Sequence, residues 1–274
     1  MKIFWFLGPV LWLFIHRTEP AGNIRLYTEP GSKAAYGLNI TSPWRNGGNV
    51  FVNLPEHLEY MPDTKGIARH NDLRENVWQV APDSATAGFS VESLTVPGVF
   101  LSVTATTSDS IVHFEMTITN RSTKLLKSIR PLLCFQYHHL NGFPRSLSDN
   151  FDHVYVPIEG RPVKLSVLEV KSPKAIARMA QVKGCSDEHN WWAEEMGGMM
   201  ETRLDKGWAA LSSKADNRKI VVSWSPGENL LANSIIPCIH ADPCIGDIIP
   251  GASKTVTGKL VFTQQSLQEA LQTF

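Results

Sequence analysis

Residues Val112 to Thr119 read Val-His-Phe-Glu-Met-Thr-Ile-Thr, apolar and polar in strict turn. A period of two belongs to a strand with one face buried and one wet; a helix would scatter the same residues around its circumference. The preceding run, Val99 to Ala105, alternates in the same way, and Thr107-Ser-Asp-Ser110 between them suits a hairpin connection. Asn120-Arg-Ser122 then closes the second strand with turn-forming residues. Further strand segments are Val77–Val80, Leu132–Tyr137, Lys164–Val170, Trp208–Ser212, Ile220–Trp224 and Thr255–Phe262. Many short strands with polar turns and few helices predict an all-β fold, a large antiparallel β-sandwich, with a barrel as the other way to close such sheets.

One or two short peripheral helices complete the expectation. Ser172-Pro173 offers a cap and a first-turn proline, with Ile176, Met179 and Ala180 following and Gly184 as a stop. Near the C-terminus, Ser266-Leu-Gln-Glu269 is a capping box, and Leu267, Ala270, Leu271 and Phe274 form an apolar stripe expected to pack on the sheet. With 274 residues and no repeat or linker, residues 22–274 are expected to form one domain. Residues 1–21 carry Lys2, an apolar run from Ile3 to Ile15, and Ala21 as a cleavage point, the pattern of an export signal. That run falls short of the roughly 20 residues a membrane-spanning helix needs. The expected destination is secreted or periplasmic, with no membrane span once the signal is removed.

Lys plus Arg and Asp plus Glu number 26 each and no basic block occurs, which argues against a nucleic-acid partner. No P-loop, G-x-G-x-x-G, G-x-S-x-G or H-E-x-x-H is present, so nucleotide binding, α/β-hydrolase chemistry and zincin proteolysis lack support, and no cofactor is implied. Asn39-Ile-Thr41 and Asn120-Arg-Ser122 match the N-glycosylation pattern.

The chemistry concentrates in Cys238-Ile-His-Ala-Asp-Pro-Cys244. On an extended strand Cys238, His240 and Asp242 project to one face. Three readings follow. His240 and Asp242 could share a metal ion, or Cys238 and Cys244 could pair, or Cys238 could be a small core residue with His240 hydrogen-bonded beside it. A disulfide needs a fold-back at Pro243, because six extended residues cover about 20 Å at roughly 3.3 Å each. The four cysteines (134, 185, 238 and 244) admit two disulfides or none.

Three more clusters stand out. Gly66-Ile-Ala-Arg69-His70 leads through Arg74 to Trp78, placing two cations and an imidazole before a strand. Tyr137-His138-His139 precedes Asn141-Gly142; either imidazole titrates near neutrality, and Tyr137 could exchange a proton if its pKa were lowered. Trp191-Trp192-Ala-Glu194 sets aromatic faces beside a carboxylate, a combination suited to the apolar faces and hydroxyls of a sugar.

The order of these pieces resembles the galactose-mutarotase-like (aldose 1-epimerase-like) β-sandwich superfamily. The matching passages are Gly66–Trp78, His113–Asn120 with Ser128–Asn141, and Pro237–Phe262, together spanning about residues 66–262. The resemblance implies one antiparallel sandwich with a sugar-binding concave face. In such enzymes a histidine protonates the ring oxygen while a glutamate takes the anomeric hydroxyl proton. It would place that histidine at His138 or His139 and set Arg69 or Arg74 near the sugar, whereas the glutamate position holds His240. The expected ligand is a saccharide, with His138 and His240 (or Tyr137) exchanging protons. Arg69, His70, Arg74, His139, Glu194 and Asp242 would contact the ligand and Trp191 would stack on it. Epimerase-like chemistry, elimination on a uronic acid, a non-catalytic binding or cell-surface domain, and a metal enzyme using His240 and Asp242 all remain open.

Overall fold

The computed structural model describes residues 22–61, 66–145, 150–170, 177–185, 198–233 and 235–274. Their strands form two antiparallel sheets, as the alternation predicts. The first runs in the order β1 (Leu26–Tyr27), β2 (Gly37–Thr41), β3 (Asn49–Met61), β9 (Leu126–Gln136), β16 (Cys238–Pro243), β15 (Gly227–Asn233) and β12 (Ala177–Gln181). Strand β4 (Gly66–Arg69) attaches to β3, and β17 (Gly246–Ile248) attaches to β9. The second sheet runs β11 (Arg161–Lys164), β10 (Val154–Ile158), β13 (Trp208–Ser212), β14 (Lys219–Ser225), β18 (Ser253–Thr263), β8 (Ile111–Asn120), β7 (Val99–Ser108), β6 (Thr86–Glu92) and β5 (Gln79–Val80).

The hairpin expected between β7 and β8 is present, with Ser108 opposite Ile111 and Asp109 at a φ of 47°. Asp tolerates that left-handed turn conformation better than most residues. Inward-facing Val103, Phe114 and Met116 meet Phe135 and Ile239 of the other sheet in one apolar core. Phe114 contacts Phe135 edge-on at 6.0 Å, and Tyr36 meets Phe89 at 5.5 Å, so aromatic rings bridge the two layers. Gly258 lies between Trp224 and Phe114 across three strands. A Cβ there would fall 2.6 Å from the Trp224 ring, so only glycine lets the two aromatics close to 6.1 Å over it.

The capping box forms as expected: Ser266 accepts from the Glu269 amide, and Glu269 accepts from the Ser266 amide. It opens the second of two short helices, α1 (Asn150–His153) and α2 (Leu267–Ala270). Leu267, Leu271 and Phe274 pack on Trp208, Ala210, Val221 and Val261, on the outer side of the second sheet. No helix among the described residues is long and apolar enough to cross a membrane.

Other expectations need correction. Ala177–Gln181 is a strand, not part of a helix; it pairs along its length with β15, and Ala177 and Met179 pack on Leu231. A partner strand supplies the hydrogen bonds a helix would have made internally. Of Lys164–Val170, only Lys164 lies in a named strand, because Leu165–Val167 forms a 3-10 turn. Cys244 bonds to Cys185 rather than to Cys238: β16 stays extended through Pro243 and carries Cys244 away, leaving Cys134 and Cys238 as buried free thiols. Both Asn39 and Asn120 are buried in the sheets, so neither glycosylation pattern is open in the folded chain. The Asn120 amide donates to the carbonyls of Lys124 at 2.8 Å and Ile248 at 2.9 Å.

Candidate active site on the outer face of the first sheet

Strand β16 turns Ile239 and Ala241 into the core between the sheets. Cys238, His240 and Asp242 therefore point from the opposite face, as the i, i+2, i+4 spacing predicts. Register extends that set sideways. His240 stands beside Cys134 of β9, which in turn stands beside Asn53 of β3. Asp242 stands beside Asn229 of β15. These six side chains make a polar row across four strands, and each residue is between 1% and 4% exposed.

Hydrogen bonds fix part of the row. Cys238 Sγ and His240 Nε2 lie 3.3 Å apart, and Asp242 Oδ1 accepts from the Leu133 amide at 2.8 Å. Pairing of β16 with β9 ends at His240 opposite Cys134, and Asp242 takes the amide of the next β9 residue, Leu133. On the other edge of β9 the register slips, with Leu54, Pro55 and Glu56 of β3 facing the single residue Leu133. Other polar atoms of the row are buried with no hydrogen-bond partner among the described residues: Asn53 Oδ1, Asn229 Oδ1, His240 Nδ1 and Asp242 Oδ2.

The electrostatics are those of a coupled set. Burial opposes charge on His240, but the Cys238 charge and hydrogen bond, with Glu56 and Asp242, outweigh it and hold the imidazole up at about 9. A hydrogen bond from Cys134 draws the Cys238 thiol down against the effect of burial, and His240 adds to the fall. The same bond, then burial, pushes Cys134 up. Cys238 and His240 thus tend toward a thiolate–imidazolium pair, with Cys134 keeping its proton as donor. Burial raises Asp242 to about 7, against the pull of His240 and of the Leu133 amide. Glu228, on β15, is pushed up to about 8 by burial and by Asp242, with Arg130 opposing. Two carboxyls near neutrality therefore hold or share protons, so each can donate as well as accept.

At the rim of the row lie Glu56, His57 and His70, all half-buried. The His57 and His70 rings meet edge to face at 5.4 Å, and the His70 amide donates to the Glu56 carbonyl at 2.8 Å. Burial lowers the His57 pKa; Glu56 opposes this and His70 reinforces it.

The expected residues divide into groups. His240 and Asp242 share the row, and His70 sits at its rim, joined to Glu56 and His57. His138 and His139 follow β9 with their rings 3.9 Å apart. Burial, His139 and Arg145 lower the His138 pKa, which favours the neutral imidazole. Tyr137 is fully buried in the core and burial raises its phenol pKa, the reverse of what proton exchange near neutrality requires. Arg69 is exposed at the end of β4 and pairs with Glu59 at 3.5 Å, while Arg74 is exposed in the following turn. Trp191 and Glu194 lie outside the described residues. Among those described, the three-ligand groups that could hold a metal are Cys134 with Cys238 and His240, and Glu56 with His57 and His70. Asp242 is in neither group.

Sequence reading missed Asn53, Glu56, His57, Cys134, Glu228 and Asn229. Asn229 stands in Gly-Glu-Asn-Leu-Leu-Ala-Asn, where one polar residue next to an apolar run was the available signal. The others needed the register. A separate cleft of about 860 Å³ opens on the outer side of the second sheet, around Lys183, Asp205, Trp208 and Lys259. None of the expected residues lines it. Its Lys183 and Asp205 already pair at 2.7 Å, whereas buried polar atoms of the row on the first sheet have no partner among the described residues.

No family model matches the sequence, and no curated protein matches it. Similar solved structures include a galactose mutarotase-like protein from Lactobacillus casei ATCC 334, with 13% identity and a TM-score of 0.49, covering 88% of this chain and 100% of that one. A putative aldose 1-epimerase from Escherichia coli K12 is 10% identical with a TM-score of 0.44, over 88% of this chain and 99% of that one. A GH36 alpha-galactosidase from Geobacillus stearothermophilus is 11% identical with a TM-score of 0.42, over 88% of this chain and 41% of that one. These are distant likenesses of chain path.

Proposed function

We propose that this chain binds a saccharide at the outer face of the first sheet, with His240 and Asp242 as the proton-exchanging groups of any sugar chemistry there. The observation that carries the reading is the set of unpartnered buried atoms, Asn53 Oδ1, Asn229 Oδ1, His240 Nδ1 and Asp242 Oδ2. A buried polar group without a partner costs roughly 1–3 kcal/mol. Sugar hydroxyls both donate and accept, so a polyhydroxylated ligand suits three acceptors and one imidazole nitrogen on one face. Asp242, whose pKa burial raises to about 7, can take either role.

If chemistry occurs, the pKa directions assign the parts. His240, held in its charged form, is the acid, and Asp242 beside it, in its ionised form, is the base. Opposed environments of this kind are how one site supplies both functions at a single pH. Epimerisation and elimination on a uronic acid both fit that division. Non-catalytic binding is the second reading; it is favoured by His240, which is only 3% exposed and engaged by Cys238.

Glycan-array screening of the purified chain, followed by calorimetry on each hit, tests the proposal. Binding is expected to weaken about five- to tenfold in Asn229→Ala, through loss of one hydrogen bond of roughly 1–1.5 kcal/mol. Retention of no glycan across mono-, oligo- and polysaccharides would reject the saccharide reading. Turnover unchanged in His240→Gln would leave binding and remove the acid.

A further inference from the structure

Glu56 and His57 are consecutive residues, and on a regular strand they would face opposite sides of the sheet. The slip in register described above interrupts that alternation where β3 passes β9. The next strand, β4, pairs its Arg69 with His57, so His70 follows immediately beside Glu56. One ligand atom from each of Glu56, His57 and His70 lies within 4.8 Å of the others. His70 Nδ1 is buried with no hydrogen-bond partner among the described residues. A buried imidazole nitrogen left unpaired on a residue that clusters with a carboxylate and a second imidazole is suited to a metal ion.

We propose that Glu56, His57 and His70 bind one divalent transition-metal ion of the zinc class. Two imidazoles and a carboxylate are the donor set such ions accept, and three protein ligands leave a coordination position open. Calcium and magnesium are disfavoured, since both prefer oxygen donors. The three residues are half-buried, so the ion can arrive from solvent while two hydrogen-bonded strands hold the ligands in place. The rival cluster, Cys134 with Cys238 and His240, is fully buried, and its thiol and imidazole already satisfy each other at 3.3 Å. This site stands independently of the saccharide reading, although an ion here would lie at the rim of the same polar row.

The full chain, stripped with chelator and dialysed, would be titrated with Zn²⁺ by calorimetry. One equivalent is expected to bind. His70→Ala should weaken it more than about 100-fold, because even outer partners of a ligating histidine are worth about 10–100-fold. His57→Gln, checked for folding by circular dichroism, should do the same and guards against a His70 variant that fails to fold. Co²⁺ added to the unmodified chain gives a readout without mutation: a spectrum of nitrogen and oxygen ligation, unaffected by Cys238→Ser, is expected. No binding by the unmodified chain, unchanged affinity in folded His70→Ala and His57→Gln, or an intense thiolate-to-metal band abolished by Cys238→Ser would each overturn the assignment.

Discussion

The two faces of β16 are equally buried and chemically opposite. Ile239 and Ala241 point into a core where apolar side chains meet others of their kind. One residue over, Cys238, His240 and Asp242 point the other way into a row rich in unpaired acceptors and shifted pKa values. Burial of the first kind contributes stability, whereas burial of the second kind subtracts it unless a partner is supplied. A strand that needed only to hold two sheets together could be apolar on both faces. The polar face is therefore the place to look for a ligand.

Changes on the two faces should separate stability from function. The largest effect is expected from Ile239→Ala, which removes a fully buried side chain and should cost about 2–5 kcal/mol in denaturant unfolding. A loss below about 1 kcal/mol would mean that the core face is not tightly packed. Next is Cys185→Ser, which frees the end of β16 from the turn after β12. Opening a bridge between residues 59 apart in sequence should cost about 4 kcal/mol, read as a drop in denaturation midpoint that reducing agent reproduces in the unmodified chain.

A subtler contrast lies in pH. The folded pKa of Asp242 is raised from 3.8 to about 7, and that of Glu228 from 4.5 to about 8. The folded chain then binds more protons than the unfolded one across those intervals. Stability from these groups is complete below pH 4 and is lost as pH rises through 7 and 8, with a slope of up to about 1.4 kcal/mol per pH unit for each proton. His240, raised from 6.5 to about 9, acts in the same direction, but the lowered Cys238 acts oppositely over much of that range, so the pair largely cancels. Asp242→Asn, which keeps an acceptor for the Leu133 amide, should flatten the curve between pH 4 and 7. An unaltered curve would show that Asp242 is not the source. The smallest effect serves as a reference far from both faces: Ser266→Ala breaks the α2 capping box and should cost about 1 kcal/mol with no change in pH slope.

What the sequence alone reveals follows the same division. Strands β7, β8 and β18 were legible because one face of each is apolar and the other wet, so period two is written in the residues. Strand β3 was not, since Phe51 breaks the alternation of Val50, Val52 and Leu54 with Asn49 and Asn53, and Pro55 interrupts the run where the register slips. Ala177–Gln181 misled for a related reason: Met179 and Ala180 continue an i, i+3, i+4 stripe from Ile176 in the sequence, and only pairing with β15 decides for a strand. At the site, Cys238, His240 and Asp242 were legible as one face because spacing within a strand is local. Their neighbours Cys134, Asn53 and Asn229 come from other strands, and which residue stands opposite which is set by register and turns, far from the motif itself.

The burial of Asn120 has a practical corollary. Its side-chain amide ties the end of β8 to the segment around Ile248, more than a hundred residues later in the chain. In a host that glycosylates nascent polypeptides at Asn-x-Ser, a glycan attached before that later segment emerges would occupy the space the amide must fill. The choice of expression host thus becomes a structural variable: cells without such a modification pathway leave the asparagine free to complete its sheet.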